Sequence, residues 1–394
     1  MTDVSVPPAS AAQPASTLDP GLQAKAREYA RVRRRWLLAD LALSGVLLAA
    51  WLALGWSLAL KAWLSAFTNN EWVLVGAYGV IFGLIFTVVE LPLEYYSGFR
   101  LPHHYGQSNE TLAGWLKDQA LGLLLSGLIG LPLLEGVYWA LRTAGDAWWL
   151  WTAGGLVAFS VIFSTLAPVV IMPLFNKYTP LGAEYADLSA RLTALARQAG
   201  TTVSGVFHFD MSRRTKAANA ALTGLGRSRR IILGDTLLQE FTPDEIETVI
   251  AHELAHHVHR DIPLGLALSS LSSLVGLYLV SLVLKWGVIA LGFSGPADIA
   301  ALPLLALALG VFGLVTLPLN NAFSRWREHR ADVYALQATH KPEAFANAMT
   351  RLANQNLAEA DPERWVVWLL HSHPPIRDRI ALAQRFQSDP AVQA

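Results

Sequence analysis

Long apolar runs alternate with polar intervals along the chain. Runs long enough to cross a bilayer, which takes about 20 residues, fall near Trp36–Trp56, Val73–Leu93, Leu116–Leu141, Trp149–Leu174, Ile262–Leu291 and Ile299–Leu319. The first can extend through Ser57–Phe67 as an interfacial helix, because Lys61 interrupts it. Trp36, Trp56, Trp72, Trp148 and Trp149 mark run ends, where amphipathic rings favour the headgroup level. The polar interval 176–261 has a different rhythm. Glu184–Ala199 carries a helical period, and Val203–Phe209 and Arg229–Leu233 are rich in strand formers. Lys216–Leu222 reads as a strand between them, ending at the Thr223-Gly224-Leu225-Gly226 turn. Thr242, Pro243 and Glu245 then open a helix as N-cap, first-turn proline and capping-box acid. Its apolar face is Ile246, Val249, Ile250 and Leu254.

These patterns predict a mainly α, polytopic membrane protein with about six transmembrane helices and an α+β soluble part. The expected divisions are a disordered and basic tail over 1–35, four spans over 36–175 and a soluble part over 176–261. Two spans over 262–320 and a helical part over 321–394 complete the chain. Within the tail, 1–20 is rich in Ala, Ser, Pro and Thr and reads as disordered, and it lacks the apolar core of a secretory signal.

Composition supports this division. The 394 residues are 53% hydrophobic and only 15% charged, with a mean hydropathy of +0.36. Soluble domains carry about 25% charged residues. The deficit is local, because 36–175 and 262–320 together hold only 14 of the chain's charged residues. Thirty basic against thirty acidic residues give no net charge, so nothing here calls for nucleic acid as a partner. Cysteine is absent, which excludes disulfides, thiolate metal ligands and a thiol nucleophile. Six basic residues between Lys25 and Arg35 precede the first span, and Arg325, Arg327 and Arg330 follow the last. By the positive-inside rule both termini, 175–261 and 321–394 are cytoplasmic.

The capped helix carries His252-Glu253-Leu254-Ala255-His256. The i, i+4 spacing puts two imidazoles on one face, one turn apart. Neutral imidazoles suit zinc, and Glu253 beside them can take a proton from water. His257 and His259 read as solvated helix-end residues. A catalytic zinc needs a third protein ligand, and Glu328 and Asp332, again one turn apart, are the best candidates. One carboxylate can bind metal while the other fixes a ligand histidine. His329 competes by chemistry but points about 100° away from Glu328 on a helix.

H-E-x-x-H, the stretch Asn321…Ser324-Arg325…Glu328…Ala331-Asp332 and the later His373-Pro374-Pro375 together resemble the type I CAAX prenyl endopeptidases, integral-membrane zinc proteases. Arg214-Thr215, Ala218-Asn219-Ala220, Gly224-Leu225-Gly226 and Asp235-Thr236-Leu237-Leu238 are similar to that family too, as is Phe175–Leu181. The resemblance covers roughly 70–385. It implies one zinc per chain, held by His252, His256 and Glu328, with Glu253 as general base. It implies that Asp332 orients a ligand histidine, with Arg325 organising the carboxylates. Ala218, Asn219 and Ala220 match the edge strand that holds substrate backbone in extended form. His373, followed by Arg379, would stabilise the oxyanion. The eukaryotic members are described with seven spans, against six here.

The expected function is a membrane-embedded zinc metalloendopeptidase acting at the cytoplasmic side. Its partners are the lipid bilayer and a peptide or membrane-protein substrate, prenylated CAAX proteins among the candidates. An Ala- and Trp-rich, Cys-free composition points to a bacterial inner membrane. Asp40, Glu90, Glu94 and Glu135, in or at the ends of spans, leave an alternative reading: a transporter or channel with a structural or sensing metal site. That reading gives Glu253 no role.

Overall fold

The structure, a computed structural model, describes residues 17–224 and 226–388. Most of the expected disordered tail, 1–16, lies outside the described residues, as does Leu225 of the expected turn. The basic stretch is not tail but helix. Asp19 caps α1 (Pro20–Ala53) by accepting from the Leu22 N–H at 2.7 Å. Ala26 and Tyr29 on its inner face are buried. The hydrophobic side of Lys25–Arg35 was masked in the sequence by the six cations around it.

The membrane part follows. A short α2 (Trp56–Ser65) leads to α3 (Glu71–Glu94), capped by Asn70. Pro92 removes a helical hydrogen bond, and the helix widens into a π turn over Tyr95–Arg100 before α4 (Leu101–His104). Helices α5 (Leu112–Thr143), capped by Thr111, and α6 (Trp148–Leu166) complete the first group. A second π turn joins α6 to α7 (Met172–Phe175). Later come α11 (Asp261–Ala290) and α12 (Leu302–Thr339). Six helical segments, Pro20–Ala53, Glu71–His104, Leu112–Thr143, Gly145–Leu166, Asp261–Ala290 and Ile299–Thr339, span the membrane. Their outer faces are bare of partners: Ile289 is 86% exposed and Val315 70%. Such side chains are tolerable only against lipid.

Between the two groups lies the soluble part. Its strands are β1 (Tyr178–Pro180), β2 (Val206–Phe209), β3 (Ala220–Thr223) and β4 (Arg230–Gly234), in the order β1-β2-β4-β3. Only β2 and β4 are parallel. Gly224, with φ +84°, turns the chain beyond β3 where a Cβ would meet the Ser228 carbonyl oxygen at 2.5 Å, so glycine is required. Helices α8 (Ala186–Gln198), α9 (Asp235–Glu240) and α10 (Pro243–Val258) pack with the sheet. The C-terminal helices α13 (Pro342–Gln355), α14 (Arg364–Leu370) and α15 (Ile376–Ser388) close around them. One core joins Leu192, Ile231, Leu233, Ile250, Leu254, Ala335 and Phe345.

The last span was expected to stop at Leu319. Instead α12 runs unbroken through Pro318 for 38 residues, about 57 Å at 1.5 Å per residue. Roughly half of that crosses the 30 Å hydrocarbon layer, and the rest enters the soluble core. The change from apolar to polar residues marks the membrane surface, not a helix end.

Candidate metal centre

Helix α10 forms where the sequence signals its start. The Thr242 side chain accepts from the Glu245 N–H, and the Glu245 carboxylate accepts from the Thr242 N–H at 2.8 Å. Arg351 pairs with the buried Glu245 at 3.0 Å and ties this end of the helix to α13. Ile246, Ile250 and Leu254 are fully buried and fix the rotation of α10, so His252 and His256 face α12. The two helices pack along their length.

Across that contact, His252 Nε2 lies 3.1 Å from Glu328 Oε2, and His256 Nε2 lies 3.7 Å from Glu328 Oε1. One ligand atom from each of the three residues falls within 4.8 Å of the others. Each imidazole is gripped from behind. His252 Nδ1 is 2.9 Å from Asp332 Oδ1, and His256 Nδ1 is 2.7 Å from Asp261 Oδ2. A ring whose Nδ1–H donates to a carboxylate keeps Nε2 free as a metal ligand. The cluster is therefore organised to hold a metal ion.

Before a metal binds, the same contacts set the protonation of the groups, and a metal ion would have to displace the proton from His252. Burial alone would lower the His252 pKa, but hydrogen bonds to Asp332 and Glu328 raise it to about 9. Burial alone would raise Asp332, but the Arg379 guanidinium and the His252 hydrogen bond hold it at about 2. Arg379 donates to both Asp332 oxygens, at 2.9 and 2.6 Å. Burial pushes the Glu253 carboxyl above the ordinary carboxylate range, against the pull of His252 and His256. A half-buried carboxyl of raised pKa beside the metal ligands is suited to accept and return a proton.

The remaining expected residues fall as follows. His373 is exposed, with Nε2 3.3 Å from Glu328 Oε2, at the rim of the cluster. Arg379, expected toward an oxyanion, turns its guanidinium to Asp332. Arg325, expected beside the carboxylates, donates to the carbonyls of Val367 at 2.8 Å and His371 at 2.6 Å. It thereby braces the segment that carries His373. Ala218, Asn219 and Ala220 lead into β3, which packs on α10 at the edge of the sheet. His257, read as a solvated helix-end residue, is half-buried beside Arg229. Asp261 escaped the sequence reading. Its signal was available, since a second ligand histidine needs its own carboxylate and Asp261 stands one short turn past His256. Arg260, with φ 56°, makes that turn between α10 and α11.

A helix of paired imidazoles facing a carboxylate helix that itself rises out of the bilayer is the organisation of a membrane-embedded metalloprotease. Comparisons with known proteins make the class specific. Residues 4–177 match the CAAX prenyl protease N-terminal region of five membrane helices, and residues 183–386 match peptidase family M48. The chain is 32% identical over 386 residues to YhfN, an uncharacterized metalloprotease of Bacillus subtilis, covering 97% of this chain and 90% of that one. It is 30% identical over 298 residues to a CAAX prenyl protease 1 homolog of Oryza sativa, covering 75% and 69%. The crystal structure of S. mikatae Ste24p aligns with a TM-score of 0.79 at 25% identity, over 92% of this chain and 89% of that one. The chain belongs to peptidase family M48, the family of the CAAX prenyl proteases. In the matched N-terminal region α2, ten residues and about 15 Å long, is too short to cross the bilayer.

Proposed function

We propose that the metal is zinc, one per chain, and that the protein cleaves peptide bonds of membrane-associated or lipid-anchored substrates at the cytoplasmic face of the membrane. The observation that carries this reading is the convergence of two carboxylate-backed imidazoles on Glu328, with Glu253 next to His252 on the same helix. Two nitrogen donors and one carboxylate without a thiol are a donor set that zinc accepts while keeping a position open. Donors on tetrahedral zinc lie about 3.3 Å apart at bond lengths of 2.0–2.1 Å. The histidine contacts of 3.1 and 3.7 Å reach different Glu328 oxygens, and the three donors all lie within 4.8 Å of one another, so small side-chain shifts would close them on one ion. Zinc bound there would acidify a water and polarise the scissile carbonyl.

The protein's own groups do the rest. Glu253 takes the proton of the attacking water and returns it to the leaving amine. His373 donates an N–H toward the developing oxyanion. Asp332 and Asp261 hold the two imidazoles, while Arg379 secures Asp332 and Arg325 secures the His373 segment. The open edge of β3 receives substrate backbone through main-chain hydrogen bonds, largely independent of side chains. Because α11 begins just past His256, substrates anchored in the bilayer reach the site by lateral diffusion. CAAX-like, prenylated C-termini are one such class. Basic residues flanking the first and last spans support the cytoplasmic orientation, and the composition supports a bacterial inner membrane. The test is metal exchange on the purified protein. A chelator should abolish cleavage of a lipidated peptide, and zinc at one equivalent should restore it. Full activity in chelator, with no metal in the sample, would refute the reading.

A further inference from the structure

Helix α12 leaves the bilayer past Leu319, and α11 enters it at Ile262; both side chains are exposed. Three arginines stand at this corner. Arg260 is exposed in the left-handed turn before α11, and Arg327 and Arg330 are on α12. Helical side chains lean toward their own N-terminus, which for α12 is the direction of the membrane. The contacts follow that rule. The Arg327 guanidinium lies over the Phe323 ring, 5.1 Å from its centroid, and the Arg330 guanidinium lies over the exposed Trp326 ring at 4.6 Å. Each reaches back one turn, about 5.4 Å, toward the bilayer surface.

The protein leaves these cations without a counter-charge. None of the three forms an ion pair among the described residues, and the acid at this corner, Asp261, is buried and turned to His256 at 2.7 Å. Asp261 offers Arg327 only its main-chain carbonyl, 3.5 Å from Nη1. A Cβ at Gly265 would lie 3.5 Å from the same Nη1, which places the guanidinium in the cleft between the first turns of α11 and α12. There Arg327 Nε is buried with no partner. Where α10 meets α12, His259 Nδ1 is likewise buried and unpartnered, its ring edge-on to Tyr334 at 5.9 Å. Basic flanks alone orient a membrane protein and need no bound lipid. Here the guanidiniums are held in place by aromatic faces and keep donors unspent, so little further ordering is needed to bind an anion.

We infer that this cleft binds the phosphate of an anionic phospholipid from the adjoining leaflet. The Arg327 fork takes phosphate oxygens with charge-assisted hydrogen bonds, and Arg330 and Arg260 add charge at the rim. Ile262 and Leu319 lie on the membrane side of the arginines, where the acyl chains of such a lipid would run, and Trp326 suits the headgroup level. A soluble phosphate compound would leave that apolar surface unused. The inference concerns binding alone and stands apart from the peptidase reading.

The experiment uses the full-length protein in detergent, mixed with phosphatidylglycerol and phosphatidylcholine at equal mole fraction. The protein is recovered on affinity resin, and its retained lipid is counted by mass spectrometry over a range of lipid concentrations. Wild type should favour phosphatidylglycerol by at least about fivefold in apparent affinity, roughly the worth of one interfacial arginine. Arg327→Gln and Arg330→Gln should each lower that affinity about fivefold, and Arg327→Lys should keep part of it as a point charge. Lys117→Gln, which removes an exposed cation near the start of α5 on the same side of the membrane, should match wild type. Should Arg327→Gln shift the thermal midpoint, Arg330→Gln on the helix surface decides. Equal retention of the two lipids by wild type would overturn the inference. An equal loss in Lys117→Gln would overturn it by assigning the preference to bulk charge. Displacement of the lipid by an equal concentration of soluble glycerol phosphate would overturn it by assigning the cleft to a soluble ligand.

Discussion

Replacing Asp332 by Asn tests how the metal centre is braced. The Asp332 side chain is 1% exposed and makes three contacts: one to His252 and two to Arg379. Asn keeps the volume and one oxygen for the place of Oδ1, which meets both His252 and Arg379, but it loses the charge and sets an NH2 donor against the Arg379 Nε–H in place of Oδ2. Arg379, 11% exposed at its side chain, is left without its main counter-charge. Breaking a buried pair on one side costs about 3–5 kcal/mol. The lower end applies here, because Glu328 and Glu253 also attract Arg379. Loss of the carboxylate behind His252 should weaken metal affinity by about 10–100-fold. Thermal unfolding of the metal-free protein reads the first effect, and chelator competition for zinc reads the second. The double variant Asp332→Asn/Arg379→Met, which removes both charges, should melt above Asp332→Asn alone. A single variant with the wild-type melting midpoint, and zinc affinity within about twofold of wild type, would refute the reasoning.

Asp261→Asn should also lower zinc affinity by about 10–100-fold, read by the same competition, because the acceptor behind His256 loses its charge. Gly276→Ala should destabilise the protein by about 1–3 kcal/mol, since the new Cβ would sit 2.7 Å from the Phe312 ring. Gly310→Ala, with nothing within 4 Å, should be neutral or stabilising; thermal midpoints of the two variants compare them directly. Lys341→Met should matter fully above about pH 4 and progressively less below it. Hydrogen bonds from Lys341, with Arg191, hold Asp244 below the ordinary carboxylate range, and the same cations outweigh burial at Glu247. Depressed carboxyls lend stability that is present above their unfolded pKa and lost as pH falls through the folded one. The gap from wild type in thermal midpoint should therefore be open near neutrality and close in acid. It should stay within about 1 kcal/mol, because Asp244 and Lys341 are partly exposed.

How much of this was legible in the chain depended on locality. His252 and His256 share one helix, and Thr242 and Glu245 announce that helix, so both the ligands and their platform could be read from adjacent residues. Glu328 and Asp332 were likewise legible as a pair one turn apart, though spacing alone left open which of them meets the metal. The six spans followed from apolar length. What failed were boundaries where polarity changes but the helix does not. α12 continues past Leu319, and α1 begins at Pro20 inside an apparent tail. Gln23 shows why: its side chain bonds the Ala358 carbonyl and the Ala360 N–H, partners more than 330 residues away. Arg325 braces carbonyls, and Asn356 holds the Ala218 backbone, through contacts between segments far apart in the chain, which no local period reports. Asp261 was missed because only one of the two histidines had been given a carboxylate.

In the function proposed above, Glu253 transfers the proton of a metal-dependent peptidase and is not part of the metal site itself. Glu253→Gln in the purified, zinc-loaded enzyme tests it most directly. Zinc content and thermal midpoint should match wild type, while cleavage of a lipidated peptide falls by at least about 100-fold. A variant that keeps its zinc and cuts at the wild-type rate would exclude Glu253 from proton transfer.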